Sequence, residues 1–108
     1  MGRKNYRRDD GGSFVVGVTR IVVEMSGMDS LKEKRSVVAR IRDKVLGRWN
    51  VAFAEVGPQD VTDGAVLGIA AVSNDRDYVE RLLGGIPEYI DGMGVCRVIS
   101  DELALEQF

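Results

Sequence analysis

The sequence has no histidine and a single cysteine, Cys96, among its 108 residues. A His-containing catalytic triad, a Cys/His zinc site and an internal disulfide are therefore all excluded. No G-x-G-x-x-G or Walker string occurs, and Gly11-Gly12, Gly84-Gly85 and Gly92-Met93-Gly94 lack the spacing of phosphate loops. The loop acids Asp60 and Asp63 fall short of the oxygen count of a calcium site. No metal and no cofactor is implied. Apolar runs stay well below the roughly 20 residues that span a bilayer. The N-terminal stretch has no apolar h-region and carries acids, and Tyr6 stands where a myristoylation pattern needs Ser or Thr. These absences predict a cytoplasmic protein with no membrane partner, in which a lone thiol stays reduced.

What is present is 44% hydrophobic and 30% charged residues, enough for one domain. The formal net charge is only −2, but it is unevenly spread: residues 1–48 hold 12 basic and 6 acidic side chains, residues 49–108 hold 3 and 11. Residues 1–13 mix charge with Gly and Ser and read as a flexible N-terminal tail; residues 14–108 form the domain.

Phe14 to Glu24 is rich in β-branched residues and predicts a strand. Ser30-Leu31-Lys32-Glu33 is a capping box, with Ser30 as N-cap and Glu33 reaching back to the Ser30 amide. It opens a helix over residues 31–47, whose apolar stripe is Leu31, Val37, Val38, Ile41 and Val45, with Gly47 as its stop. Trp49 to Val56 and Ala65 to Ser73 predict two strands joined by a longer loop. Trp49 and Phe53 share a face of the first of these and read as core. Asn74 is the expected cap of a second helix, on which Tyr78, Val79, Leu82, Leu83 and Ile86 form the buried stripe. Gly84-Gly85 and Pro87 predict a kink or break there, since Gly costs about 1 kcal/mol and Pro about 3 relative to Ala in a helix interior. A last strand covers Val95 to Ile99, extendable through Leu103 and Leu105, with Cys96 as a small buried hydrophobe.

The order βαββαβ is that of the ferredoxin-like split βαβ arrangement, an α+β sandwich with a four-stranded antiparallel sheet in the order 4-1-3-2 and two helices on one face. Both alternate sets of the third strand are apolar, Leu67/Ile69/Ala71 and Val66/Gly68/Ala70/Val72. Either a C2 homodimer covers the outer face, or small residues line a harmless exposed one.

The first helix breaks a local rule. Lys32, Lys34 and Arg35 sit in its opening turn, near the partially positive end, where each cation is unfavourable by roughly 0.3 to 1 kcal/mol. Arg40, Lys44 and Arg48 lie toward the negative end, where the dipole accounts for them. Residues that contradict local preference mark candidate sites. Lys32, Lys34, Arg35 and Arg42 are therefore the candidate anion-binding set, directed at nucleic-acid phosphate, and a simply solvated basic face is the alternative. Base stacking on the sheet has no support, because the third strand contains no aromatic residue and no RNP1-like string.

The string Ser30-Leu31-Lys32-Glu33-Lys34-Arg35, with Asn50-Val51-Ala52, Ala54-Glu55-Val56, Gln59-Asp60 and Val72-Ser73-Asn74-Asp75, resembles the YlxP-like family, a bacterial domain of unknown function. The resemblance covers about residues 14–100. It implies a ferredoxin-like fold and, because members are often encoded beside translation initiation factor 2 and ribosome-binding factor A, a link to translation or ribosome assembly. It carries over no catalytic residue. Gly57-Pro58 departs from the more usual Asp-His, the loop that follows lacks a Trp, and Gly84 to Pro87 interrupts a helix that is continuous in the family.

Two readings of function follow. The first is a noncatalytic factor contacting RNA or a ribosomal subunit through Lys32, Lys34, Arg35 and Arg42. The second is a homodimeric interaction module binding an anionic metabolite or a protein at its sheet surface. An enzyme would need a carboxylate pair such as Glu55 and Asp60, and no nucleophile, base and orienting group occur together.

Overall fold

The computed structural model describes residues 12–108. The tail expected over residues 1–13 therefore lies, except for Gly12 and Ser13, outside the described residues. The elements run β1 (Val15–Glu24), α1 (Leu31–Arg48), β2 (Ala52–Glu55), β3 (Gly64–Ser73), α2 (Arg76–Asp91) and β4 (Arg97–Gln107). The four strands form one antiparallel sheet in the order β2-β3-β1-β4, which is the expected 4-1-3-2 read from the other edge.

Period-two alternation in β1 and β3 decides which face is covered. Ile21, Val23, Leu67, Ile69 and Ala71 point inward onto the helices, where they meet Ile41 and Val45 of α1 and Val79, Leu83, Ile86 and Ile90 of α2. Fully burying an aliphatic side chain of this size is worth about 1.5–3 kcal/mol, so this layer holds the helices to the sheet. Gly17 of β1 faces Val79, Leu83 and Leu105, and a Cβ there would collide with all three, so its lack of a side chain sets how closely α2 approaches.

Several local expectations are corrected, among them that α1 runs past Gly47 to Arg48 and that Tyr78, 45% exposed, lies outside the buried stripe of α2. Residues Trp49 to Val51 are not strand: the Trp49 N–H caps α1 by donating to the Val45 carbonyl at 2.9 Å, and its ring meets Tyr89 edge-on at 4.9 Å. The N-cap of α2 is Asp75 rather than Asn74, because the Asp75 carboxylate accepts from the Tyr78 N–H at 3.1 Å while Asn74 stands outside the helix. The expected break at Gly84 to Pro87 is absent. Helix α2 runs through to Asp91 with Ile86, Pro87 and Ile90 buried, while the two glycines face solvent.

Strand β4 starts later and runs longer than its apolar core predicts. Cys96 precedes it, partly buried, and pairing with β1 carries on to Gln107. Val22 pairs with Ser100 and Val23 with Val98, leaving Ile99 as the extra residue of a β-bulge. Beyond the strands, Phe14 and Phe108 exchange backbone hydrogen bonds at 3.1 and 2.8 Å, and their rings stack at 5.4 Å.

Candidate functional site

Helix α1 begins at Ser30, whose extended backbone lets its Oγ accept from the Glu33 N–H at 3.1 Å. The Glu33 carboxylate closes the other half of the cap one residue earlier than expected, accepting from the Asp29 N–H at 2.6 Å. This cap fixes the rotation of the helix, and the rotation separates the four candidate cations.

Lys34 turns inward. At 100° per residue from Leu31 it falls at about 300°, between Ile41 at about 280° and Val45 at about 320°, in the middle of the buried stripe. Its side chain is 1% exposed. The ammonium lies 3.1 Å from Glu55 Oε2, donates to the Val61 carbonyl at 2.7 Å and reaches the Pro58 carbonyl at 3.4 Å. Glu55 Oε2 is itself buried, and among the described residues the Lys34 ammonium is what compensates its charge. Lys34 is thus removed from the anion-binding set. It is a structural cation that ties the β2–β3 connection to the first turn of α1, because an unpaired buried charge is far costlier than a paired one.

The other three stay on the surface. Arg35 and Arg42, seven residues apart, are brought together along a cleft of about 260 Å³ between α1 and the edge strand β2, floored by Val38, Phe53 and Ala54. Arg42 also contacts its neighbour Asp43 at 3.1 Å, an exposed pair of the kind worth about 0–1 kcal/mol, which leaves the guanidinium available to a ligand. Lys32 is exposed and stands apart from that cleft on the solvent side of the helix.

A second basic flank holds the cations whose positions the helix dipole favours. Arg40 and Lys44 line a groove of about 590 Å³ between α1 and the C-terminal end of α2, beside Tyr89 and Met93. Arg48 lies 5.0 Å from the centroids of both Trp49 and Tyr89, so it is held by aromatic faces rather than by an acid. The spacing of 40, 44 and 48 was the signal available in the sequence, since residues four apart share a helix face. In all, α1 exposes Lys32, Arg35, Arg40, Arg42, Lys44 and Arg48 against two acids, Glu33 and Asp43.

The opposite layer is chemically different. The outer face of the sheet holds an open groove of about 690 Å³ whose lining is largely Val, Ala and Gly. Its two charged residues, Arg20 and Glu102, face each other across β1 and β4 at 3.7 Å. No helix of the described residues is long and apolar enough to cross a membrane.

Comparison with known proteins places the chain in a family. A family described as "Protein of unknown function (DUF503)" matches residues 16–102. The protein of Bacillus subtilis (strain 168) described as "Uncharacterized protein YlxP" is 44% identical over 62 residues, which span 57% of this chain and 67% of that one. Among solved structures, the de novo designed protein Foldit4 aligns over 88% of this chain and 96% of its own, with a TM-score of 0.47 and 19% identity. SnoaB, a cofactor-independent oxygenase from Streptomyces nogalater, aligns over 88% and 92% with a TM-score of 0.44 and 21% identity. With a family match spanning most of its length and a YlxP relative at this identity, the chain belongs to the DUF503 family of YlxP-like proteins.

Proposed function

We propose that this protein is a noncatalytic cytoplasmic factor that binds RNA, free or within a ribosomal subunit, through the exposed basic face of α1. The observation that carries the reading is the surplus on that helix: six exposed cations against two exposed acids, with the one inward cation spent on Glu55. A surface of this kind recognises the phosphate backbone rather than base edges, since it presents cations along the length of a helix. The link to translation that the resemblance to YlxP-like proteins implies favours RNA over other polyanions.

Cosedimentation with ribosomal subunits, and titration of ribosomal RNA over a range of salt, test the reading. Binding weakens steeply with salt, and each single change of Lys32, Arg35 or Arg42 to Gln lowers the salt slope by about 1. Reversing Lys32, Arg35 and Arg42 together to Glu abolishes binding. Unchanged cosedimentation of the triple variant at low salt overturns the proposal.

A second reading, an interaction module working through its sheet as a homodimer, is favoured by the bare apolar outer face. The groove on that face does not suit an anionic metabolite, because its lining cation, Arg20, is balanced by the lining anion Glu102 and the hollow carries no net positive charge.

A further inference from the structure

The outer sheet face is an anomaly for a chain with 30% charged residues. Val18, Val56 and Val72 are 45%, 56% and 65% exposed there. Between them the surface drops to Ala54, Gly68, Ala70 and Ala104, forming the groove. Exposed valines grouped around an apolar groove, rather than scattered singly, mark a candidate contact site.

We infer that this face is the seat of a second copy of the chain, packed sheet to sheet about a two-fold axis. Three observations select that occupant. The first is charge: the residues lining the groove carry one cation and one anion, paired with each other, so nothing there steers a nucleic acid, a lipid headgroup or an acidic peptide. The second is shape. The face carries both ridges, at the exposed valines, and a hollow, at the small residues, so a two-fold axis placed between ridge and hollow seats the ridges of each copy in the hollow of the other. Stacked sheets separated by about 10 Å interdigitate side chains of this size. The third is area. With strands about 4.8 Å apart and a rise of about 3.3 Å per residue, the four strands cover roughly 550 Å² in plan. Two such faces clear the roughly 1,000 Å² of total buried surface expected of a specific interface.

In this arrangement the helices of both copies stay outermost, and the two basic α1 faces lie on opposite sides of the assembly. The dimer stands independently of whether α1 binds RNA, because its test reads mass alone.

Sedimentation equilibrium of the full chain over a wide concentration series is expected to give twice the 11.9 kDa of the single chain. Val18→Asp and Val72→Asp halve that mass, whereas Leu46→Asp on exposed α1 leaves it unchanged; far-UV circular dichroism checks that each variant is folded. A second measurement does not depend on the aspartate variants folding. In a Cys96→Ser background, Ala70→Cys gives covalent dimers with a short bismaleimide, and Leu46→Cys does not. A wild-type chain that is monomeric throughout overturns the inference. So do folded Val18→Asp and Val72→Asp variants that remain dimeric, or an Ala70→Cys chain that fails to crosslink.

Discussion

Lys34 Nζ lies 3.1 Å from Glu55 Oε2, joining the first turn of α1 to the last residue of β2. Lys34 and the Glu55 Oε2 atom are buried, and no other donor reaches that oxygen among the described residues. Removing one partner therefore leaves a stranded charge. Lys34→Ala is expected to lower stability by about 3–5 kcal/mol, whereas Lys34→Met combined with Glu55→Gln recovers much of that loss. Urea denaturation of the full chain measures both. A loss of about 0–1 kcal/mol for Lys34→Ala, the range of an exposed pair, contradicts the assignment.

The cap of α1 is the Ser30 that the sequence predicts, the cap of α2 is Asp75 instead of Asn74, and mutation separates the two cases. Ser30→Ala and Asp75→Ala each remove a side-chain acceptor for a backbone N–H at the start of a helix, and each is expected to destabilise by about 1 kcal/mol. Asn74→Ala stays within about 0.5 kcal/mol, as for a surface position making no such contact. Thermal denaturation ranks the three, and a larger loss at Asn74 than at Asp75 refutes the observed cap.

Two glycines respond oppositely to the same added methyl group. A Cβ at Gly17 meets Val79, Leu83 and Leu105, so Gly17→Ala is expected to overpack the β1–α2 contact and cost about 1–3 kcal/mol. At Gly84, in the middle of α2, a Cβ meets nothing within 4 Å. Gly84→Ala stabilises by about 1 kcal/mol through helix propensity. Denaturant midpoints of the two variants move in opposite directions.

Burial first, and the nearby Asp91 carboxylate second, push the Cys96 thiol above its ordinary range. The folded state then holds the thiol proton more tightly than the unfolded chain does. The corresponding stability is fully present below the unfolded thiol's titration and is lost as pH rises through the folded one, that is, on the alkaline side of about pH 8.5. Comparing pH–stability curves of the wild type and Cys96→Ser isolates this contribution, which appears as a steeper alkaline fall in the wild type. Iodoacetamide alkylates native Cys96 more slowly than the unfolded chain at the same mildly alkaline pH.

Much of the candidate site was legible before folding was considered. Arg35 and Arg42 lie at about 40° and 20° on the helical wheel, and the structure sets both along one cleft. The same wheel places Lys34 among Val38, Ile41 and Val45, although residue type alone assigns a lysine to the surface. No spacing rule predicts its partner, because Glu55 reaches it only through the pairing of β2 with β3 and the packing of α1 on that edge. The Arg40 and Lys44 groove was missed for a related reason, since its other wall comes from α2.

Alternation, capping chemistry and turn residues acted within a few positions of the chain, and they sufficed to determine the order βαββαβ, the rotation of α1 and the apolar character of both sheet faces. Local preference failed where contacts distant in sequence outweighed it. Burial of Ile86 and Ile90 carried α2 through Pro87, and an ammonium was taken from solvent because a carboxylate and two carbonyls awaited it inside. Which cations remain available to a partner was therefore decided only by the tertiary structure, since desolvation and pairing depend on neighbours that the linear order does not bring together.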